Sequence, residues 1–157
     1  MLHRFHLQIF FALLCLATSL HTNADTPVQP RTQLPSYKQE CAACHMAYPP
    51  GFLPAESWRK IMSTLPKHYG VDASVDDLVL LKEISGWLET NAGTYKRSGE
   101  VTASGRITDS TWFIRKHREI TPDTWKRLAI KSASNCIACH AGAERGNFNE
   151  HAVRIPK

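Results

Sequence analysis

Two short stretches, Cys41-Ala-Ala-Cys44-His45 and Cys136-Ile-Ala-Cys139-His140, repeat one pattern towards opposite ends of the chain. Cysteines three apart on a helical turn face the same side, where each thiol can add to one of the two vinyl groups of a single porphyrin. The histidine that follows directs a ring nitrogen at the iron from the proximal face. Cys-x-x-Cys-His is the attachment pattern of a c-type haem, so two copies call for two covalently bound haem c groups. Structural zinc and a thiol redox pair are the other uses of paired cysteines. A four-cysteine zinc knuckle keeps its pairs within a few tens of residues, whereas Cys44 and Cys136 are 136 − 44 = 92 positions apart. A thioredoxin-like pair would need a surrounding βαβ pattern, which is missing. Neither explains a histidine directly after both pairs.

Each iron also needs a group on its far side, unless one position stays open. Outside the motifs and the first 24 residues the candidates are His68, His117, His151, Met46 and Met62. Met46 directly follows a proximal histidine and is tied to that face. His68 lies 23 residues after His45, and His117 lies the same 23 before His140. Each interval holds a helix and a turn, enough chain to wrap a haem edge, so His68 and His117 are the expected distal ligands. The sequence leaves open which remote histidine serves which haem; His45 with His68 and His140 with His117, nearest in sequence, is a guess at the pairing. Met62 shares an apolar helical stripe and is assigned to the core; His151 is assigned to a solvated tail.

The elements that must position these groups read as helices. The motif segment begins a short helix near Ser36, and Tyr48-Pro-Pro-Gly-Phe-Leu-Pro54 breaks it into an extended turn. Pro54 suits the first position of a new helix whose face is Trp58, Ile61, Met62 and Leu65, ended by Pro66. Ser74 with Asp77 resembles a capping box for a helix of about four turns that turns Val75, Leu78, Leu81, Ile84, Trp87 and Leu88 inward. Residues 94–107 are rich in Gly, Ser and Thr and read as a mobile loop. Thr108 or Asp109 is expected to cap a helix through Trp112, Phe113 and His117. Thr121-Pro122 opens another with Trp125, Leu128 and Ala129 on one side. Asn135 is expected to cap the turn of the second motif, Gly142 to end it, and the tail from Ala143 to be irregular. Trp58, Trp112 and Trp125 are read as core or haem-packing side chains. No strand pattern of any length occurs, so the expected fold is mainly α, a small helical domain wrapped around two haems.

The amino terminus carries Arg4, an apolar run over residues 9–17 and small residues up to Ala24, the layout of a secretory signal peptide. The run is too short for a membrane span, which needs about 20 residues. The expected organisation is a cleaved signal over residues 1–24, a Pro-rich leader over 25–35 and one domain over 36–157, exported to the periplasm without stable membrane insertion. Cleavage would remove Cys15, leaving only the four motif cysteines, and Arg4, taking the formal charge from +5 to +4. Haem propionates would lower it further. With no Lys/Arg run interleaved with aromatics, nucleic acid is discounted as a partner, while a mildly basic docking face for an acidic redox partner is retained.

The stretch from Cys41 through Pro-Pro-Gly51, with Ser57-Trp58-Arg59, His68-Tyr69-Gly70, residues 108–117 and residues 135–148, resembles the bacterial dihaem cytochromes c. The Pro-Pro-Gly after the first motif and Gly-Ala-Glu-Arg-Gly146 after the second are more specific than the haem motifs themselves. The resemblance spans nearly all of residues 36–156. It implies six-coordinate haems with His68 and His117 as distal ligands. It also implies an electron carrier working with a membrane b-type cytochrome, a soluble monohaem cytochrome, or both. Two rival classes follow from the same residues. One is a peroxidase-like or ligand-binding haem protein with an open iron; the other is an electron-entry subunit of a larger reductase.

Overall fold

The computed structural model describes residues 33–94, 98 and 101–157. The signal and most of the leader lie outside these residues, as does part of the loop expected over 94–107. Among the described residues the fold is helical, and the only β-type pairing is an isolated bridge between His68 and Val71. No described helix is long and apolar enough to cross a membrane.

The amino-terminal half is built on three helices. Helix α1 (Pro35–Cys41) starts on a proline, whose missing N–H costs nothing in a first turn, and delivers the first cysteine at its end. Helix α2 (Ala55–Ser63) follows Pro54 and buries Ser57, Trp58 and Met62. Helix α3 (Leu78–Thr90) packs along α2 and also touches α1. The three close on a core of Tyr37, Ala47, Leu53, Trp58, Met62, Leu65, Ile84 and Leu88. Ile84 and Leu88 have no exposed surface, and each contributes about 1.5–3 kcal/mol by leaving water. The Arg59–Glu89 ion pair at 2.9 Å joins α2 to α3 at the surface, where such a pair adds at most about 1 kcal/mol.

Several details depart from the sequence reading. The cap of α3 is Asp77, whose carboxylate accepts from the N–H groups of Val79 and Leu80. Ser74 is not its partner; Asp72 takes both the backbone N–H and the hydroxyl of Ser74. The helix therefore begins later than a capping box from Ser74 would place it. Leu78, expected inward, is 76% exposed as the first residue beyond the cap.

The carboxy-terminal half is mostly single turns. Helix α4 (Thr111–Lys116) is capped by Ser110, not by Thr108 or Asp109, which belong to the preceding 3-10 turn. His117 is the residue that closes α4 rather than one inside it. Helix α5 (Pro122–Trp125) is capped by the Thr121 hydroxyl as expected but lasts one turn. The chain then folds back through Lys131, at φ 68°, so Leu128 and Ala129 are exposed and Ile130 takes the buried place. Asn135 stands at the N-cap of the second motif's turn as expected, but its side chain makes no cap bond; its amide donates to the carbonyl of Ile130. The tail is not irregular. It forms 3-10 turns at Ala143–Arg145 and Glu150–Ala152, and the Arg154 N–H donates to the Cys139 carbonyl at 3.0 Å.

The segment between Tyr48 and Leu53 ties the halves together through its carbonyls. Tyr37 donates to the Tyr48 carbonyl at 2.8 Å and the Trp58 indole to that of Pro50 at 2.7 Å. The Trp112 indole reaches Phe52 at 3.2 Å and the Gly93 N–H reaches Leu53 at 2.9 Å. Gly93 must be a glycine: a Cβ there would sit 2.3 Å from the Gly51 carbonyl oxygen.

Candidate functional site

The fold brings the four histidines singled out in the sequence into two facing pairs. His45 and His68 have ring centres 6.2 Å apart with planes at 29°. His117 and His140 are also 6.2 Å apart, with planes at 80°. Each pair joins one motif histidine to one remote histidine. His151 is exposed in the last 3-10 turn, and Met62 is core, as the sequence placed them.

The separation has a chemical meaning. A metal–imidazole nitrogen bond is about 2 Å. Two such bonds in line through one ion, with about 1.1 Å from each nitrogen to its ring centre, separate the centres by about 6.2 Å. Directly stacked rings would sit closer, and imidazoles hydrogen-bonded nitrogen to nitrogen would have their centres only about 5 Å apart. The residues therefore fit an iron held between each pair.

The first pair is reached from α1 and from the turn after α2. Cys41 ends α1 half-buried, and burial, helped by the Glu40 charge, raises its thiol pKa to about 11. Cys44 is exposed on the turn beyond. The His45 Nδ1 pairs with the Met46 carbonyl at 2.8 Å, which fixes the ring and leaves the other nitrogen for a metal. His68 follows a 3-10 turn and the buried Leu65. Burial, then the neighbouring His45 and Arg106, lowers its pKa and keeps the ring neutral, the state in which it can bind metal. Its ring has no hydrogen-bond partner among the described residues. It lines a cavity of about 40 Å³ with Lys60, Lys67 and Tyr69, and Arg106 lies 4.0 Å above the Tyr69 ring.

The second pair sits in an aromatic shell. His117 stacks on Phe113 at 4.0 Å, lies 5.9 Å from Trp125, and pairs its Nδ1 with the Phe113 carbonyl at 2.9 Å. His140 faces Phe148 at 5.4 Å, and Phe148 in turn packs on Phe52. Burial and then His117 lower the His140 pKa. Cys136 begins a 3-10 turn, and Cys139 closes it. Burial raises both thiols, Cys136 to about 11. None of the four cysteines is in a disulfide.

Sequence spacing singled out all eight of these residues. It missed Tyr48, which stacks on His45, and the aromatic shell of Phe113 and Phe148. Those aromatics are ordinary core types, and only their three-dimensional placement marks them.

A family model described as dihaem cytochrome c matches residues 37–148. No curated protein matches. Among solved structures, a dihaem cytochrome c from Rhodobacter sphaeroides is 42% identical with a TM-score of 0.63, over 74% of this chain and 98% of its own. A dihaem cytochrome c from Shewanella baltica OS155 is 37% identical with a TM-score of 0.68, over 78% of this chain and 92% of its own. The twin Cys-x-x-Cys-His motifs, the helical fold around two facing histidine pairs and these likenesses lead to one conclusion: the chain belongs to the dihaem cytochrome c family, whose members carry two covalently bound haem c groups.

Proposed function

We propose that the chain is an exported electron carrier. Cys41 and Cys44 would hold one haem and Cys136 and Cys139 the other, with His45 and His68 the histidines that would ligate one iron and His140 and His117 those that would ligate the second. The observation that carries this reading is the repeated 6.2 Å spacing of the two pairs. Bound haem supplies a one-electron ferric/ferrous couple. Two histidines held to each iron would leave no position for substrate, so the residues favour charge transfer over oxygen or peroxide chemistry. Lacking a thioether ligand, both sites are expected at lower potential than His/Met cytochromes.

The partners proposed are a membrane b-type cytochrome on one side and a soluble monohaem cytochrome on the other. Lys60 and Lys67 line the cavity beside His68, and Arg106 lies over its neighbour Tyr69. These cations favour an acidic partner docking at that end, and the docking should weaken as salt rises. Export to the periplasm rests on the signal-like residues 1–24, which precede the described residues.

The ring planes give each site its own magnetic signature. Near-parallel imidazoles donate into the same iron d orbital and split the orbital pair, which yields a rhombic low-spin signal. Near-perpendicular rings leave the pair almost degenerate and give a signal at large g. The ferric holoprotein should therefore show one rhombic signal from His45/His68 and one large-g signal from His117/His140. His68→Ala should turn only the first site high-spin, and His117→Ala only the second. A resting wild-type spectrum with high-spin iron, or one site responding to both substitutions, would overturn the ligation.

A further inference from the structure

One side chain spans the two sites. The Tyr48 ring stacks on the His45 imidazole at 4.7 Å with planes 22° apart. Its hydroxyl donates to the Ser134 carbonyl at 2.8 Å, 86 residues away and two positions before Cys136. Among the described residues no other side-chain hydrogen bond joins the segment of the first motif to that of the second.

The geometry around Tyr48 is fixed from behind. Its carbonyl accepts from the Tyr37 hydroxyl at 2.8 Å, and Tyr37 is itself buried in the core. Pro49 and Pro50, both fully buried, follow it and restrict the backbone. The Ser134 carbonyl also accepts from the Cys136 sulfur at 3.7 Å. A sulfur committed to a thioether has no proton to donate, so in the mature protein the Tyr48 hydroxyl is the side-chain donor left to that carbonyl.

We propose that Tyr48 is a positioning residue for exchange between the two haems: its ring holds the plane of the His45 imidazole, and its hydroxyl, through Ser134, sets how the second attachment turn sits against the first. The proposal rests on the ligand assignment above. It divides the work of one residue into two separable parts. The flat ring serves the first site by contact. The hydroxyl serves the second by a single directional bond. Neither part touches an iron.

The test uses the holoprotein with Tyr48→Phe and Tyr48→Leu. The phenylalanine variant keeps the stack and loses the bond. Its rhombic signal should match wild type, while the large-g signal shifts or broadens. Amide exchange protection in the Cys136–Ala138 turn should fall roughly fivefold, the equilibrium worth of one ordinary hydrogen bond. Electron equilibration between the haems should slow with it. The leucine variant should disturb both signals. If Tyr48→Phe lowers thermal stability but leaves both signals and the internal exchange rate at wild-type values, Tyr48 is merely structural and the proposal falls. It also falls if the two variants act alike. A wild-type spectrum without the two signatures would overturn the ligand assignment instead, before either variant is made.

Discussion

The two remote histidines are held unequally, and this should decide which iron an external ligand reaches first. Under the ligation proposed above, His45 and His140 would be the harder to displace, because each follows a cysteine attached to the same porphyrin. Departure should therefore involve His68 or His117. His117 has a hydrogen bond from Nδ1 to the Phe113 carbonyl at 2.9 Å, a close stack on the same residue and a second aromatic neighbour in Trp125. His68 has one aromatic neighbour, Tyr69 at 4.8 Å, which is itself 41% exposed, and no ring hydrogen bond among the described residues. The difference is one hydrogen bond, about 0.5–1.5 kcal/mol, and one aromatic contact of similar worth. Together they make about 1–3 kcal/mol, or roughly 5- to 150-fold in the ease of release. The assay is carbon monoxide binding to the reduced holoprotein followed in the Soret band. Two phases are expected, separated by that factor. His68→Ala should remove the release step from the faster phase, making its rate rise in proportion to carbon monoxide concentration, and leave the slower one unchanged. A slower phase that responds to His68→Ala, or two sites binding at equal rates in the wild type, would refute the reasoning.

Two further outcomes follow from the fold. Asp77→Ala removes the α3 cap and should cost about 1 kcal/mol, a fall of roughly 3–6 °C in the melting temperature, whereas Ser74→Ala should stay within about 0.5 kcal/mol; equal losses at both positions would restore the capping box. Burial raises the Tyr37 pKa well above its ordinary 10.0, with a smaller contribution from Tyr48. The folded state thus holds this proton more tightly than the unfolded chain. The stability it brings is fully present below about pH 10 and is lost as pH rises towards the raised value. Melting temperature against pH should bend downward above pH 10, and Tyr37→Phe should flatten the bend.

What could be read from the sequence follows the physics of each element. Helices α2 and α3 are long enough for an apolar face to repeat, so Trp58, Met62, Ile84 and Leu88 were legible as core. The start of α3 was not, because Asp72 competes for Ser74 at a distance in sequence where several polar pairs are equally plausible partners. The carboxy-terminal half is the least legible. Its turns close by short-range bonds and side-chain caps, such as Ser110 on Phe113 and Asn149 on His151, which leave no periodicity behind. The candidate site stands out in the sequence more plainly than the fold around it. Cysteine and histidine types are scarce, their spacing is stereotyped, and the equal 23-residue intervals marked the remote histidines. The aromatic shell was hidden because Phe113 and Phe148 look like any buried ring.

The carbonyls between Tyr48 and Leu53 draw their donors from Tyr37, Trp58, Gly93 and Trp112. Three of those four come later in the chain, and the hydroxyl of Tyr48 must wait for Ser134. A polypeptide emerging amino terminus first therefore presents Cys41 and Cys44 to the attachment machinery while their surroundings are still open. The second half, on arrival, shuts the first. Haem attached before those bonds form would enter an accessible chain, and the final hydrogen bonds would then seal it.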